Sequence, residues 1–116
     1  IYTLDQIGII PIIITGRKSE IVSKRAAELK IKECHQGVSD KLATLNEVLA
    51  KYNGTLDEVA YIGDDFNDSV CMKACGLVAC PNDAEESIKP LVNYVCKHNG
   101  GQGALREFVK FILANE

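Results

Sequence analysis

Short apolar runs alternate with segments of helical period from one end of this sequence to the other. Residues 9–14 are mostly isoleucine, which is typical of a buried parallel strand, and Ile21, Ala26 and Leu29 then fall on one helical face. The same alternation recurs along the rest of the chain. The predicted strands cover residues 9–14, 33–36, 59–62, 77–80 and 92–96, and the predicted helices cover residues 19–30, 41–52, 67–75, 84–89 and a segment that begins after Gly103.

Strands and helices in this order predict the α/β class, a three-layer Rossmann-like fold whose mostly parallel sheet carries helices on both faces. The chain has 116 residues, of which 47% are hydrophobic and 25% are charged. This length and balance are typical of one packed globular domain. We therefore expect a single core domain over residues 1–116.

Charge and cysteine content exclude several classes of partner. The net charge is −3, and the 13 lysines and arginines are scattered, so a nucleic-acid partner is not expected. The longest apolar run, residues 7–14, is interrupted by Gly8 and Pro11 and is too short to span a membrane. Five cysteines without a Cys-x-x-Cys pair favour a reducing, cytoplasmic location.

Polar residues cluster just after the predicted strands. In an open α/β sheet, ligands bind beyond the carboxyl ends of the strands, so we expect these residues to face one crevice. The segments that follow the first four strands are Thr15-Gly16-Arg17, Gly37-Val38-Ser39-Asp40-Lys41, Gly63-Asp64-Asp65-Phe66-Asn67-Asp68 and Pro81-Asn82-Asp83.

The residue types in these segments fit phosphate and a divalent cation. A hydroxyl, a glycine amide, an arginine and a lysine are the donors that bind phosphate. Asp64, Asp65 and Asp68 lie within five residues of each other, and a hard cation would relieve their mutual repulsion. Mg²⁺ is the natural candidate because it takes carboxylate oxygens together with waters and substrate phosphate. The pattern therefore predicts metal-assisted phosphoryl chemistry.

Each member of the set also has a structural interpretation. Thr15 and Gly16 are equally typical of a strand end, and Asp65 or Asp68 is suited to capping a helix. Lone cations such as Arg17 and Lys41 are usually solvated. The remaining cysteines and histidines are not expected to bind a metal. The cysteines should be buried as small hydrophobic residues, and the histidines should lie on the surface. These residues are Cys71, Cys75, Cys80, His35 and His98.

Three motifs in this order resemble the haloacid dehalogenase superfamily of phosphatases. They are Ile12-Ile13-Ile14-Thr15-Gly16-Arg17, the isolated Lys41, and Tyr61-Ile62-Gly63-Asp64-Asp65-Phe66-Asn67-Asp68. Two further segments are similar to the capless phosphatases of 3-deoxy-D-manno-octulosonate 8-phosphate within that superfamily. These are Gln36-Gly37-Val38-Ser39-Asp40-Lys41 and Gly100-Gly101-Gln102-Gly103-Ala104-Leu105-Arg106-Glu107.

The resemblance implies roles for individual residues. Thr15 would hydrogen-bond the transferring phosphoryl group, and Lys41 would stabilise its charge. Asp64 would ligate Mg²⁺, and Asp68 and Asp65 would complete the metal site or orient the metal's waters and the lysine.

The resemblance also implies a substrate and an assembly. Gly16, Arg17 and Arg106 are the candidates for binding a small phosphorylated sugar acid. Arg106 would reach a neighbouring subunit, because the family is typically a homotetramer.

One part of the family's pattern is absent from these 116 residues. The family's nucleophile is the first Asp of an Asp-x-Asp motif, and the sequence contains no such motif. We expect that strand to precede Ile1, with the core domain lacking its N-terminal strand here. Asp5 is a poor substitute because its neighbours, Leu4 and Ile7, resemble the end of a helix.

Two alternatives stay open at this stage. The same motifs are similar to the C-terminal module of acylneuraminate cytidylyltransferases, which would be a phosphatase-like or non-catalytic oligomerisation module. A phosphoacceptor receiver domain has a similar composition, but it places its acidic pair before its threonine and lysine. This chain has Thr15 and Lys41 first and Asp64 afterwards, which disfavours the receiver.

Overall fold

A computed structural model of the chain describes residues 9–114. The chain divides into two compact units, Ile1–Tyr52 and Asn53–Glu116, and each contains its own parallel β-sheet. The interpretation of Asp5 and its neighbours concerns residues outside the described part. Within residues 9–114, no helix is long and apolar enough to cross a membrane.

Within its described residues, 9–52, the first unit contains two parallel strands. Strand β1 (Ile12–Ile14) pairs with β2 (Glu33–His35), with Ile12 opposite Glu33 and Ile14 opposite His35. Helix α1 (Glu20–Glu28) connects the two strands, and helix α2 (Lys41–Lys51) follows β2. This βαβ arrangement brings the exits of both strands to the same edge of the sheet.

Both helices of the first unit begin at polar caps. The Ser19 side chain accepts a hydrogen bond from Val22 N at 3.3 Å, and Asp40 accepts one from Ala43 N at 3.0 Å. Each cap satisfies one of the amides that the first turn of a helix leaves without a partner. Helix α1 ends at Glu28 with Leu29 as its C-cap, and the next residue, Lys30, has a φ of 60°, a left-handed conformation unusual for a residue other than glycine.

The second unit is built on three parallel strands in the order β3, β4, β5. They are β3 (Ala60–Ile62), β4 (Leu77–Cys80) and β5 (Tyr94–Val95). Helix α3 (Ser69–Ala74) lies between the first two strands in sequence, and helix α4 (Ala104–Ala114) follows the last. Three short 3-10 helices cover Leu56–Glu58, Phe66–Asp68 and Glu86–Leu91.

Strand β4 separates two hydrophobic clusters in the second unit. Val78 and Cys80 pack with Met72 of α3, whereas Ala79 packs with Phe108 of α4. Because successive side chains of a strand point to opposite faces, this alternation places α3 and α4 on opposite faces of the sheet. The predicted α/β class with helices on both faces is confirmed for this unit.

The regular elements are shorter than the sequence pattern predicts. Strand β1 contains Ile12–Ile14 rather than residues 9–14, and the segment predicted as a helix over 84–89 is a 3-10 helix over Glu86–Leu91. That helix includes Pro90, which lies just beyond the predicted range. The fixed φ of proline suits a 3-10 turn, at the loss of one backbone hydrogen bond.

Candidate functional site

The segment after β1 is held by backbone hydrogen bonds to the segment after β2. Thr15 N donates to His35 O at 3.0 Å, Val38 N donates to Thr15 O at 3.0 Å, and Gly37 N donates to Arg17 O at 3.0 Å. The Thr15 hydroxyl oxygen accepts a hydrogen bond from Arg17 N at 3.2 Å. Because that oxygen is already an acceptor, the hydroxyl proton remains to be donated to a ligand.

Glycines allow close approach within this part of the first unit. Gly37 has a φ of 66°, and a Cβ atom there would lie 2.6 Å from Cε of Lys18. A Cβ atom at Gly16 would lie 3.4 Å from Val38 O, so this loop runs directly beside the segment after β2. The two glycines let two chain segments lie side by side at the sheet edge.

Lys41 is the first residue of α2 and is half-buried. Its predecessor Asp40 is the N-cap, so the start of the helix is fixed next to the exit of β2. Arg17, by contrast, is exposed. The structure thus places Thr15, Gly16, Arg17 and Lys41 at the carboxyl ends of the two strands of the first unit.

Sequence reasoning missed Gln36 as a residue that organises this edge. Its Oε1 accepts a hydrogen bond from Ser19 N at 2.6 Å, and its Nε2 donates to the Ser23 hydroxyl at 2.7 Å. Gln36 therefore ties the exit of β2 to the start of α1. Nothing in the sequence signals these contacts, because the partners lie 13 and 17 residues away.

Asp68 organises the acidic loop of the second unit. It is 4% exposed, and its Oδ2 accepts hydrogen bonds from Asp64 N at 3.1 Å and from Asp65 N at 3.2 Å. Its Oδ1 accepts a hydrogen bond from the Tyr61 hydroxyl at 2.5 Å. Burial and the neighbouring Asp68 carboxylate raise the pKa of Tyr61 well above its usual value, so the phenol stays a donor.

Gly63 is required by the same arrangement. A Cβ atom at Gly63 would lie 2.6 Å from Cγ of Asp68, which is closer than real side chains approach. The buried carboxylate therefore sits directly against the backbone at the end of β3. Any larger residue at this position would displace Asp68 from the loop amides.

Asp65 and Asp64 have different environments at the tip of this loop. The Asp65 side chain accepts a hydrogen bond from Phe66 N at 2.7 Å and forms a capping box with Asp68, which confirms the expected capping role. Asp64 is exposed, and its carboxylate has no hydrogen-bond or ion-pair partner among residues 9–114. Asp64 is thus the acidic side chain of the loop that is presented to a ligand.

These acidic residues fit a hard divalent cation of the magnesium type. Magnesium needs one or two carboxylates, with waters and phosphate filling its other positions. No three His, Cys, Asp or Glu side chains converge on one point within residues 9–114, so the described residues offer no complete protein cage. An exposed carboxylate on a fixed loop is what a partial magnesium site requires.

The exits of β4 and β5 are linked to the acidic loop and to each other. Glu85 N donates to Asp64 O at 3.0 Å, and Asn82 N donates to His98 O at 2.9 Å. The Asp83 carboxylate accepts a hydrogen bond from Gly100 N at 2.8 Å. The three loops at the carboxyl edge of this sheet therefore form one connected surface.

Glu107 is the second residue that sequence reasoning missed. Its carboxylate accepts hydrogen bonds from Lys97 N at 2.8 Å, from His98 N at 3.0 Å and from Nδ1 of His98 at 2.7 Å. The Tyr94 hydroxyl also donates to it. The bonds from Tyr94 and His98 lower the pKa of Glu107 to about 2, so this glutamate is ionised. Arg106, beside it on α4, is exposed.

Two predictions about non-catalytic residues can be compared with the structure. Cys71 and Cys80 are buried and Cys75 is half-buried, in agreement with a packing role. Burial raises the pKa of Cys75 to about 11, which keeps it a thiol. The side chain of His98 is 58% exposed, as expected, but it is paired with Glu107 rather than simply solvated.

A family model of haloacid dehalogenase-like hydrolases matches residues 33–108 of the chain. The match covers more than half of the 116 residues. The chain therefore belongs to the haloacid dehalogenase-like hydrolase family, as its motifs predict.

Particular members of the family are similar over most of the chain. The 3-deoxy-D-manno-octulosonate 8-phosphate phosphatase KdsC of Yersinia pestis is 42% identical over 101 residues, which are 87% of this chain and 54% of the relative. The chain thus spans about half the length of the curated relatives it matches. The phosphatase of the same name from Moraxella catarrhalis was solved with a magnesium ion, a phosphate ion and a KDO molecule. Its sequence is 39% identical to this chain. The two structures align with a TM-score of 0.91 over 96% of this chain and 64% of that chain.

A third relative is the cobalt-bound deoxy-D-mannose-octulosonate 8-phosphate phosphatase of Haemophilus influenzae. It is 33% identical, with a TM-score of 0.93 over 98% of this chain and 67% of that chain. The agreement with these structures confirms the predicted α/β Rossmann-like class. All three relatives are named as phosphatases. These matches do not favour the alternative interpretation of the chain as the C-terminal module of an acylneuraminate cytidylyltransferase.

Proposed function

We propose that the protein is a Mg²⁺-dependent phosphatase that hydrolyses a phosphorylated sugar acid, with 3-deoxy-D-manno-octulosonate 8-phosphate as the first substrate to test. The observation that carries the proposal is the loop after β3, where buried Asp68 fixes the amides of Asp64 and Asp65. Exposed Asp64 is thereby held at a strand end. The names of the similar proteins, and the magnesium and phosphate ions in one of them, support this choice.

In this proposal Asp64 binds the metal directly, and Asp68 completes the metal site from the buried side of the loop. The hydrogen bonds of Asp68 fix the backbone on which Asp64 is carried, and such supporting contacts typically change metal affinity or activity about 10–100-fold. Asp65 orients the metal's waters or the lysine from the same loop. Bound Mg²⁺ would offset the negative charge of the phosphate oxygens.

The first unit supplies the proposed phosphate ligands. Thr15 donates its hydroxyl proton to a phosphate oxygen, since its own oxygen accepts from Arg17 N. Lys41 stabilises the charge of the phosphoryl group with its ammonium group. Gly16 allows the backbone to approach the phosphate because it carries no side chain.

Exposed arginines are the proposed ligands of the sugar acid. Arg17 follows Thr15 directly, and Arg106 lies on the first turn of α4 next to Glu107. Guanidinium groups donate hydrogen bonds to oxygen acceptors, so these arginines are candidates for binding the carboxylate or the hydroxyls of the sugar acid. No carboxylate of these 116 residues is assigned as the nucleophile, because none lies in an Asp-x-Asp motif.

Phosphate release from 3-deoxy-D-manno-octulosonate 8-phosphate by the purified full-length protein, measured with and without Mg²⁺, tests the proposal. We expect Asp64→Asn to abolish release, because the amide removes the charge that binds the metal. Asp57→Asn is the matched control, since Asp57 is also exposed but lies in the 3-10 helix Leu56–Glu58 before β3. Full activity of Asp64→Asn, or no activity of the unaltered protein with any phosphomonoester, would contradict the proposal.

We also propose a cytoplasmic homotetramer, with Arg106 reaching the site of a neighbouring subunit. Light scattering after gel filtration would measure the mass of the assembly. A monomer that retains full activity would contradict the shared role of Arg106.

A further inference from the structure

His98 lies at the carboxyl edge of the three-stranded sheet. It follows the end of β5 by three residues, and Asp64 follows the end of β3 by two. Hydrogen-bonded strands lie about 4.8 Å apart, so the exits of β3 and β5 are separated by about 10 Å. His98 and Asp64 therefore belong to the same edge of one sheet, two strands apart.

Glu107 determines which nitrogen of the His98 ring faces outward. Nδ1 of His98 lies 2.7 Å from Oε1 of Glu107. Because Glu107 has a pKa of about 2, it is ionised and can only accept hydrogen bonds. Nδ1 must then carry the proton, and Nε2 is the nitrogen that remains for another partner. Within residues 9–114, the imidazole has no hydrogen-bond partner besides Glu107.

The ring also lies beside the glycine-rich turn. A Cβ atom at Gly103, which has a φ of 106°, would lie 3.5 Å from Cδ2 of His98. The backbone of His98 donates to Glu107 and accepts a hydrogen bond from Asn82 N at 2.9 Å. The ring is thus anchored at its Nδ1 edge and through its backbone, while its side chain is 58% exposed. In the imidazolium form both ring nitrogens carry protons, so Nδ1 donates to Glu107 while Nε2 presents an anchored and exposed donor to an anion.

We propose that His98, as the imidazolium, is a specificity-determining residue whose Nε2–H donates to the carboxylate of the sugar acid. This inference rests on the proposed function. In a sugar acid 8-phosphate the phosphate and the carboxylate lie at opposite ends of the carbon chain. A substrate with its phosphate at the exit of β3, beside Asp64, would direct its acidic end along the edge of the sheet toward β5. Glu107 is then a positioning residue, which acts on the substrate through His98.

The effect of His98 should appear in substrate recognition rather than in turnover. Loss of a hydrogen bond between charged groups corresponds to about a ten- to hundredfold change in affinity. We therefore expect His98→Ala to raise KM for 3-deoxy-D-manno-octulosonate 8-phosphate by at least tenfold, with little change in kcat. For p-nitrophenyl phosphate, which has no carboxylate, both kinetic constants should stay within about twofold of the unaltered protein.

Two conservative variants separate recognition from a purely structural role. The amide nitrogen of His98→Gln can occupy the place of Nε2, whereas the amide of His98→Asn can replace only the bond from Nδ1 to Glu107. We expect His98→Gln to restore part of the lost affinity and His98→Asn to behave like His98→Ala. Full rescue by His98→Asn, or equal losses with both substrates, would overturn the inference.

The outcome can be distinguished from a failure of the proposed function. If the unaltered protein hydrolyses neither phosphomonoester in the presence of Mg²⁺, the proposed function itself is wrong. If it hydrolyses both and His98→Ala leaves KM for the sugar acid phosphate unchanged, the phosphatase proposal stands and the role of His98 is rejected.

Discussion

Two glutamates with closely similar chemistry, Glu33 in the first unit and Glu107 in the second, have different structural tasks. Each has a pKa lowered to about 2, and each accepts hydrogen bonds from a tyrosine and a histidine. Glu33 bonds to the Tyr52 hydroxyl at 2.8 Å, to Nε2 of His35 at 3.0 Å and to Nζ of Lys51 at 3.0 Å. These three partners are all side chains, and Glu33 lies at the entry of β2, away from the strand exits.

Glu107 instead bonds to backbone amides as well as to side chains. Two of its partners are Lys97 N and His98 N, which lie in the loop beyond β5. A carboxylate held by side chains joins two elements, here β2 and the end of α2. A carboxylate held by amides fixes the course of a loop. A low pKa alone therefore does not identify a functional site. The kind of hydrogen-bond donor, backbone or side chain, and the position of the carboxylate relative to the strand exits distinguish the two glutamates.

Replacing Glu33 should produce the largest loss of stability. Glu33 is 4% exposed, and Glu33→Ala removes three hydrogen bonds between charged or polar groups. We expect a decrease of about 2 kcal/mol in the free energy of unfolding, measured by urea denaturation. Activity per folded molecule should be retained. A loss of catalysis without a loss of stability would remove the distinction between the two glutamates.

Replacing Glu107 should affect substrate binding more than stability. Glu107→Gln loses the charge that fixes Nδ1 of His98, so KM for the sugar acid phosphate should rise about tenfold. Its unfolding midpoint should shift less than that of Glu33→Ala. Glu86→Gln is a suitable control because that glutamate is exposed and pairs only with Lys89 among the described residues. An unchanged KM for Glu107→Gln would contradict the claim that Glu107, unlike Glu33, acts on substrate binding.

Acid should destabilise both clusters over the same range of pH. A carboxyl group whose pKa falls from 4.5 to about 2 on folding contributes stability that is present above pH 4.5. That contribution is lost as the pH falls from 4.5 toward 2, because the unfolded chain then binds a proton that the folded state takes up only near pH 2. Unfolding curves recorded between these limits should have a weaker pH dependence in Glu33→Gln and in Glu107→Gln. An identical slope in all three proteins would contradict the assigned hydrogen bonds.

The cation near Glu33 should contribute least. The Lys51 side chain is 58% exposed, and solvated ion pairs stabilise proteins by about 0–1 kcal/mol. Lys51→Met should therefore lower the unfolding free energy by less than about 1 kcal/mol. Tyr52→Phe provides the comparison, since it removes the hydrogen bond with the largest effect on the pKa of Glu33. A larger loss from Lys51→Met than from Glu33→Ala would show that the cation dominates the cluster.

Local patterns in the sequence were sufficient to predict the order of elements and several caps. The spacing of Thr55 and Glu58 is that of a capping box, which the structure contains, and Asp65 caps the 3-10 helix after β3 as expected. These contacts join residues only a few positions apart, so their spacing is visible in the sequence. The alternation of strands and helices likewise depends on local periodicity.

Contacts between distant residues could not be predicted in this way. Glu33 meets its partners on α2 18 and 19 residues away, and Glu107 meets Tyr94 13 residues away. The hydrophobic periodicity also did not predict which individual apolar residues are exposed. Ile21 falls on the predicted apolar face of α1 but is 80% exposed, because a helix of 9 residues buries only part of that face.

The most direct test of the central claim is a calorimetric titration of the purified protein with Mg²⁺ in the presence of inorganic phosphate. If the loop fixed by Asp68 presents Asp64 to the metal, the unaltered protein and Asp57→Asn should bind Mg²⁺ with the same affinity, and Asp64→Asn should give no binding heat. Equal binding by Asp64→Asn and the unaltered protein would contradict the assignment of this loop as the metal site.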